Sequence, residues 1–278
     1  MILIADSGST KTDWAVLTQT GVVLRIQTKG MNPFFQTEEQ LAEELRSALL
    51  PCLPCEPVQQ VYFYGAGCTA EKCPVVAAVL TEVLKVQQMA EVYSDMVGAA
   101  RGLCGRSEGI VCILGTGSNS CLYDGHQIVA NVSPLGFILG DEGSGAVLGK
   151  LLVGDLLKNQ LGEELKQQFL QQFHLSPADI IDKVYRHPFP NRFLASLSPF
   201  LSQHLDHPGV HRLVKQSFMA FLKRNVMQYN GFENLPIHFI GSIAYHFRPV
   251  LEEAIKESGL HMGKVMKAPM EGLMEYYS

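Results

Sequence analysis

Short apolar runs broken by small polar turns open this chain. Ile2-Leu-Ile-Ala5, residues 14–18 and residues 22–28 predict three strands. The turn Asp6-Ser-Gly-Ser-Thr-Lys-Thr-Asp13 joins the first two, and Thr20-Gly21 joins the next pair. After a turn at Gly30-Met-Asn-Pro33, Leu41, Leu45 and Leu49 share one face at helical spacing, which predicts a helix over 38–50. Val61-Tyr-Phe-Tyr64 predicts a buried strand ending in the loop Gly65-Ala-Gly67. A helix near 75–86 and a strand, Glu91-Val-Tyr-Ser94, come next. Asp95 then opens a helix of small residues, Met96-Val-Gly-Ala-Ala-Arg101.

The order so far is β-β-β-α-β-α-β-α, and Gly102 to Gly109 predicts a hinge. Beyond it, strands at 110–114, 119–123 and 127–130 repeat the opening. Helices dominate from 143 to 230. Pro236-Ile-His-Phe-Ile240 is the next strand and ends in Gly241-Ser242; a helix at 244–257, a strand at 264–267 and a helix at 270–277 follow. The pattern predicts an α/β protein of two duplicated lobes, 1–105 and 106–278, with a helical insertion in the second and a cleft between them. The last helix, 270–278, is placed in the second lobe but is free to pack back on the first.

Composition narrows the partners. The 278 residues are 47% hydrophobic and 18% charged, as in a soluble globular protein. A net charge of −5 and the absence of any basic run argue against nucleic acid. No apolar stretch approaches the roughly 20 residues that span a bilayer. The start, Met1-Ile-Leu-Ile-Ala-Asp6, lacks the basic segment of a secretory leader, so a cytoplasmic location without a membrane partner is expected. Of seven cysteines, only Cys52 and Cys55 have ligand-like spacing, and no second pair accompanies them. Surface thiols are the better reading.

The candidate chemistry lies in the turns. In the first, Gly8 lets a phosphate approach the main chain, Ser9 and Thr10 add hydroxyl donors, and Lys11 adds a cation. Asp6, at a strand end, is placed to hold Mg²⁺ through water. Leu114-Gly-Thr-Gly-Ser-Asn119 repeats the arrangement with Gly115, Thr116, Gly117 and Ser118. Each turn alone is an ordinary hairpin; two of them, with matching flanks, suit a polyphosphate. Asp95 is either a helix cap or a general base for in-line attack on a γ-phosphate. Gly140-Asp-Glu-Gly-Ser-Gly145 brackets an acidic pair with glycines, which suits a clamp for sugar hydroxyls as well as a cap. Asn32 makes a turn or binds a sugar hydroxyl. Gly241-Ser-Ile-Ala244 lies between strand and helix, where a nucleoside fits. Gly145-Ala-Val-Leu-Gly149-Lys150 is no P-loop: one residue is missing between the glycines, and Leu151 stands where Ser or Thr is needed. The histidines form no metal-binding grouping.

Taken together, these motifs resemble the sugar kinase/Hsp70/actin superfamily (the actin-like ATPase, or ribonuclease H-like, fold). Within it the chain is most similar to the BadF/BadG/BcrA/BcrD-type ATPases and their N-acetylglucosamine kinases. Asp6 to Asp13 matches the first phosphate motif, with Ser7 and Ser9 at two glycine positions, and Leu114 to Asn119 matches the second. The resemblance implies ATP phosphates on Gly8, Ser9, Thr10, Lys11 and Gly115 to Ser118, and Asp6 on Mg²⁺. Gly241, Ser242 and Ala244 match the adenosine motif. Asp95 matches the catalytic base. Gly136-Phe-Ile-Leu-Gly-Asp-Glu-Gly-Ser144 matches the segment whose aspartate, here Asp141, contacts the amino sugar, and Gly136 opens it. Asn32 falls at the family's sugar-binding asparagine.

The implied activity is transfer of phosphate from ATP to an amino sugar, N-acetyl-D-glucosamine first among them, giving the 6-phosphate. Leu135 stands where eukaryotic members carry tryptophan, a departure that bears on the choice of sugar. The zinc-binding cysteine cluster of the separate ROK kinases is absent. Two alternatives are an activator ATPase of 2-hydroxyacyl-CoA dehydratases, which holds an iron–sulfur cluster through cysteines, and a sensor that binds without turnover. Asp95 and the Gly140 to Ser144 segment favour the kinase. The sequence leaves the oligomeric state, a homodimer included, open.

Overall fold

The computed structural model describes residues 1–278 except Ser9, Gln19, Thr20, Val22 and Ser278. The chain divides into two compact units, Met1–Arg106 with Pro269–Ser278, and Ser107–Ala268. In the first, β1 (Ile2–Ser7), β2 (Lys11–Leu17) and β3 (Val23–Lys29) form an antiparallel meander. The chain continues through α1 (Glu38–Glu44), β4 (Gln60–Gly65), α2 (Cys73–Leu84), β5 (Met89–Ser94) and α3 (Asp95–Cys104). β1 and β4 pair in parallel, as do β4 and β5, giving the sheet order β3-β2-β1-β4-β5. Leu3, Ile4, Ala5, Val61, Phe63 and Tyr64 are fully buried, because helices cover both faces of these central strands.

The helix expected over 38–50 is not uniform. A Thr37–Gln40 capping box starts α1, the backbone widens into a π turn at Leu45–Leu49, and a 3₁₀ turn at Leu50–Cys52 ends it. Pro51 lacks the N–H that a continuing helix needs. The C-terminal helix, Met270–Tyr276, packs on α3 in backbone contact. A Cβ on Gly272 would lie 1.9 Å from the Gly102 carbonyl oxygen, so this crossing requires glycine.

In the second unit β6 (Gly109–Leu114), β7 (Ser118–Tyr123) and β8 (Ile128–Ala130) repeat the meander. Seven helices follow: α4 (Gly136–Leu139), α5 (Gly145–Leu157), α6 (Glu163–Phe173), α7 (Pro177–Tyr185), α8 (Pro190–Ser196), α9 (Ser198–Gln203) and α10 (Pro208–Arg224). Then come β9 (Pro236–Ile240), α11 (Ser242–His246), α12 (Arg248–Glu257) and β10 (His261–Met266). The order β10-β9-β6-β7-β8 mirrors the first sheet strand for strand, and the pair directions are the same. The expected duplication is therefore present in the fold.

Two boundaries differ from expectation. Pro249, in the first turn of α12, splits the helix expected over 244–257 into α11 and α12. β10 starts at His261 because a bulge between Met262 and Val265 breaks its alternation. At that bulge the Lys264 N–H donates to His238 Nδ1 at 3.0 Å. Burial pushes the His238 pKa down to about 4, which keeps the ring a neutral acceptor. Among the described residues no helix is long and apolar enough to cross a membrane.

Candidate active site

The first turn closes on itself. The Gly8 N–H donates to the Lys11 carbonyl at 2.9 Å, and Gly30 N–H to the Thr10 carbonyl at 3.0 Å. Gly8, Thr10 and Lys11 are exposed, and the Lys11 ammonium sits 2.7 Å from the Asp13 carboxylate. An exposed pair of this kind contributes only about 0–1 kcal/mol, so Lys11 is easily released to another anion. Ser9 lies outside the described residues. The serine at the other glycine position, Ser7, is fully buried. Its Oγ lies 2.7 Å from Thr12 Oγ1 and 3.0 Å from both the amide and the carbonyl of Met31. Ser7 and Thr12 are thus anchors that tie the turn to the segment carrying Asn32.

Two carboxylates of this unit stand where strands end, Asp6 before the hairpin turn and Asp95 at the start of a helix. Asp6 is the penultimate residue of β1, paired in register with Asp13. Burial, then the negative charges of Asp13 and Asp95, push its pKa up to about 7, against an opposing pull from Lys11. Asp95 is the first residue of α3. It is not the cap: Ser94 is, with the Val97 N–H donating to Ser94 Oγ at 3.4 Å. Asp95 Oδ1 accepts the Met96 N–H at 2.8 Å, and no hydrogen bond to Oδ2 occurs among the described residues. Burial raises its pKa, while the backbone N–H groups of Met96 and Asp95 itself hold it down.

Among the described residues no three His, Cys, Asp or Glu side chains come together as a direct metal cage. A magnesium ion held largely through water needs no such cage. The mutual repulsion of Asp6, Asp13 and Asp95 is the kind of field that a divalent cation relieves, so the donor set fits the ion.

Asn32 is buried in the loop after β3. Its Oδ1 accepts the Phe34 N–H at 2.9 Å, and its own N–H donates to Gln36 Oε1 at 2.6 Å. Only glycine fits opposite: a Cβ on Gly67, whose φ is +78°, would lie 2.2 Å from Asn32 Oδ1. With one lone pair of the oxygen engaged, the Nδ2 donors are the amide's main means of serving a ligand.

In the second unit the residues singled out from sequence converge. The Gly115 N–H donates to the Gly117 carbonyl at 2.9 Å, while Gly145 N–H and Ala146 N–H donate to the Gly115 and Thr116 carbonyls at 2.8 and 3.0 Å. The turn after β6 is thereby fastened to the start of α5. The Ser118 N–H donates to Asp141 Oδ1 at 3.3 Å, so Asp141 braces this turn. Its pKa is raised by burial first, with Glu142 adding to the effect and the Ser118 N–H opposing it. Glu142 pairs with Arg224 at 2.5 Å, and the Gly143 N–H donates to Ser217 Oγ at 3.0 Å, so α10 holds the acidic segment from behind.

Gly241 has φ +116°, and a Cβ there would lie 2.4 Å from the Leu114 carbonyl oxygen. The turn at Gly241 therefore abuts the turn after β6 directly. Ser242 is exposed, whereas Ala244 is fully buried and serves the core. Gly136 opens α4 with φ +75°, exposed and with nothing near its missing Cβ.

The chain as a whole is similar to solved structures. A crystal structure from Porphyromonas gingivalis, of a protein carrying the provisional name N-acetylglucosamine kinase, is 57% identical to this chain. The match covers 100% of this chain and 98% of that one, with a TM-score of 0.94. The chain belongs to the BadF-type sugar kinases of the actin-like ATPase superfamily.

Two distant structures show the same fold. A provisionally named N-acetylglucosamine kinase from Chromobacterium violaceum is 17% identical over 100% of the kinase and 98% of that chain, with a TM-score of 0.74. A ROK-family glucokinase from Streptomyces griseus, in complex with glucose and AMPPNP, is 14% identical over 99% and 97%, with a TM-score of 0.58. No family model and no curated protein matches. The protein is an ATP-dependent sugar kinase.

Several groups that shape the kinase's two sets of residues were not singled out from the sequence for that role. Asp13 raises Asp6 and Ser94 caps α3 from nearby in the chain. Gly67, which makes room for Asn32, and Ser217 and Arg224, which hold Gly143 and Glu142, are long-range partners.

Proposed function

We propose that the kinase phosphorylates an amino sugar, converting N-acetyl-D-glucosamine to its 6-phosphate in the cytoplasm, with Asp95 as general base. One observation carries the base assignment. Among the described residues no hydrogen bond reaches Asp95 Oδ2, Oδ1 is fixed by the Met96 N–H, and burial makes the carboxylate a better proton acceptor than a surface aspartate. The sugar rests on the identity to the Porphyromonas gingivalis protein.

In this reading Asp95 orients the sugar hydroxyl and takes its proton as the oxygen attacks the γ-phosphorus. Asn32 Nδ2, Gly136 and Asp141 hold the sugar. Gly8, Ser9, Thr10, Lys11 and the Gly115 to Ser118 turn hold the phosphates, and Gly241, Ser242 and Ala244 pack the nucleoside. Asp141 contributes to both tasks, since one of its oxygens already accepts the Ser118 N–H. Asp6 would hold Mg²⁺ through water; the ion supplies neutralisation of charge on the β- and γ-phosphates. A homodimer is compatible with this reading, and light scattering would establish it.

ADP release measured against N-acetylglucosamine, glucosamine, N-acetylmannosamine and N-acetylmuramic acid tests the proposal. N-acetylglucosamine should give the highest kcat/KM, with a 6-phosphate product by NMR. A tenfold preference for any of the other three would replace the assigned substrate.

A further inference from the structure

A groove of about 580 Å³ runs between α5 and α10 in the second unit, and none of the residues assigned to ATP or sugar lines it. Val147, Leu151 and Asp155 recur every four residues along α5 and form one wall; Arg212, Leu213 and Gln216 of α10 form the other. The lining therefore mixes apolar residues with charged and amide groups. Asp155 and Arg212 both face the groove, yet neither side chain has an ion pair or hydrogen bond among the described residues. Opposite charges lining one groove often pair with each other or with neighbours. Elsewhere on these elements they do: Lys215 of α10 meets Glu257 and Glu253 of α12.

Glu142 and Ser217 also line the groove. These residues hold the acidic segment in place, Glu142 through Arg224 and Ser217 through the Gly143 N–H. Asp141, next in sequence, braces the Ser118 amide of the phosphate turn. A molecule seated in the groove would thus press on the mount of that turn without touching it.

We propose that this groove is an effector site for a small bipolar metabolite, with an ammonium group for Asp155 and a phosphate for Arg212. The bipolar class follows from the groove alone. The choice of an amino-sugar phosphate as its source rests on the proposed function, since a kinase acting on such sugars works among molecules of that size and charge. The Arg212 guanidinium suits a phosphate because it offers several donors in one plane.

Isothermal titration of the full-length protein with glucosamine 6-phosphate, without ATP or acceptor, tests the site independently of turnover. We expect saturable binding that weakens at least tenfold in Asp155→Asn and in Arg212→Gln, two surface substitutions that leave basal kinase kinetics unchanged. N-acetylglucosamine 6-phosphate, which lacks the ammonium, and glucosamine, which lacks the phosphate, should each bind at least tenfold more weakly. Glucosamine 6-phosphate should also change the KM for ATP at least threefold in the wild type and in neither variant. No binding, or binding that both variants retain, would overturn the site. Binding with an unchanged KM for ATP would overturn the effector role. If the acceptor-panel assay fails while these results hold, the substrate assignment falls and the groove stands.

Discussion

Asp95 and Asp6 carry charge in the same neighbourhood for different ends. A base needs an unengaged oxygen, which Asp95 has in Oδ2; replacing Asp95 with Asn removes it and keeps the Met96 contact through the amide oxygen. We expect kcat to fall about 10²–10⁴-fold with the Kd for ATP within a factor of two. Single-turnover kinetics alongside calorimetry checks both numbers.

For Asp6 the sign follows from its pKa, about 7 in the folded chain against an ordinary value of 3.8. The folded state holds the extra proton between these values. The stability linked to Asp6 is therefore full below about pH 4 and is lost as pH rises through 7. Asp6→Asn should raise stability at pH 8 by on the order of 1–3 kcal/mol, and by much less at pH 4. Urea midpoints at the two pH values, without magnesium, measure this. The same proton competes with the metal, so the apparent Mg²⁺ affinity of the wild type should fall about tenfold per pH unit below 7. A magnesium titration that is flat from pH 8 to pH 6 would remove Asp6 from the metal site.

Among the elements, α3 links sequence to site most directly. Its start was legible because a strand, an aspartate and a run of small residues follow one another. The reason for the small residues was not. Gly98 lies against the Tyr64 ring and Gly102 against the C-terminal helix, contacts made across 34 and 170 residues of chain. The crossing tolerates nothing larger. Gly272→Ala would push a methyl carbon to 1.9 Å from the Gly102 carbonyl oxygen. We expect a loss of about 2–4 kcal/mol in urea unfolding, more than a glycine-to-alanine change in an open helix would ever cost.

The turn after β9 behaves in the same way. Gly241→Ala is strained both by its φ of +116° and by the Leu114 carbonyl at 2.4 Å, and the displaced phosphate turn should raise the KM for ATP at least fivefold. The glycine was visible in the sequence, whereas the contact that demands it joins two strands 127 residues apart. Local patterns placed this strand at 264–267 and missed its start at His261 for a related reason. A bulge hides its alternation, and what the bulge serves is a histidine on the neighbouring strand.

For the molecule as a whole, the repeated strand order was readable because each half opens with the same meander around a glycine turn. The helical stretch between β8 and β9 was readable only as helix, since its partners are one another. The last helix posed a different problem: its sequence position follows the second sheet, but it belongs to the first unit. There Met270 and Leu273 share a buried cluster with Ile4, Ala15 and Tyr64, and the Tyr277 hydroxyl accepts a hydrogen bond from Arg101 at 3.0 Å. Ending the chain after Ala268 should cost about 3–6 kcal/mol, chiefly in the first unit. Hydrogen exchange would show protection lost in β1 and α3 and kept in β6 and β9.

That placement sets an order of events during synthesis. The ribosome releases the first sheet early, but the piece that completes its core is made only after the whole second unit. At about 5–20 residues per second, the second unit separates the two by roughly 8–30 seconds. Throughout that interval the nascent first unit carries an open apolar seam over Ile4 and Tyr64, so chaperone occupancy should peak on chains that have finished the second unit and not yet the final ten residues.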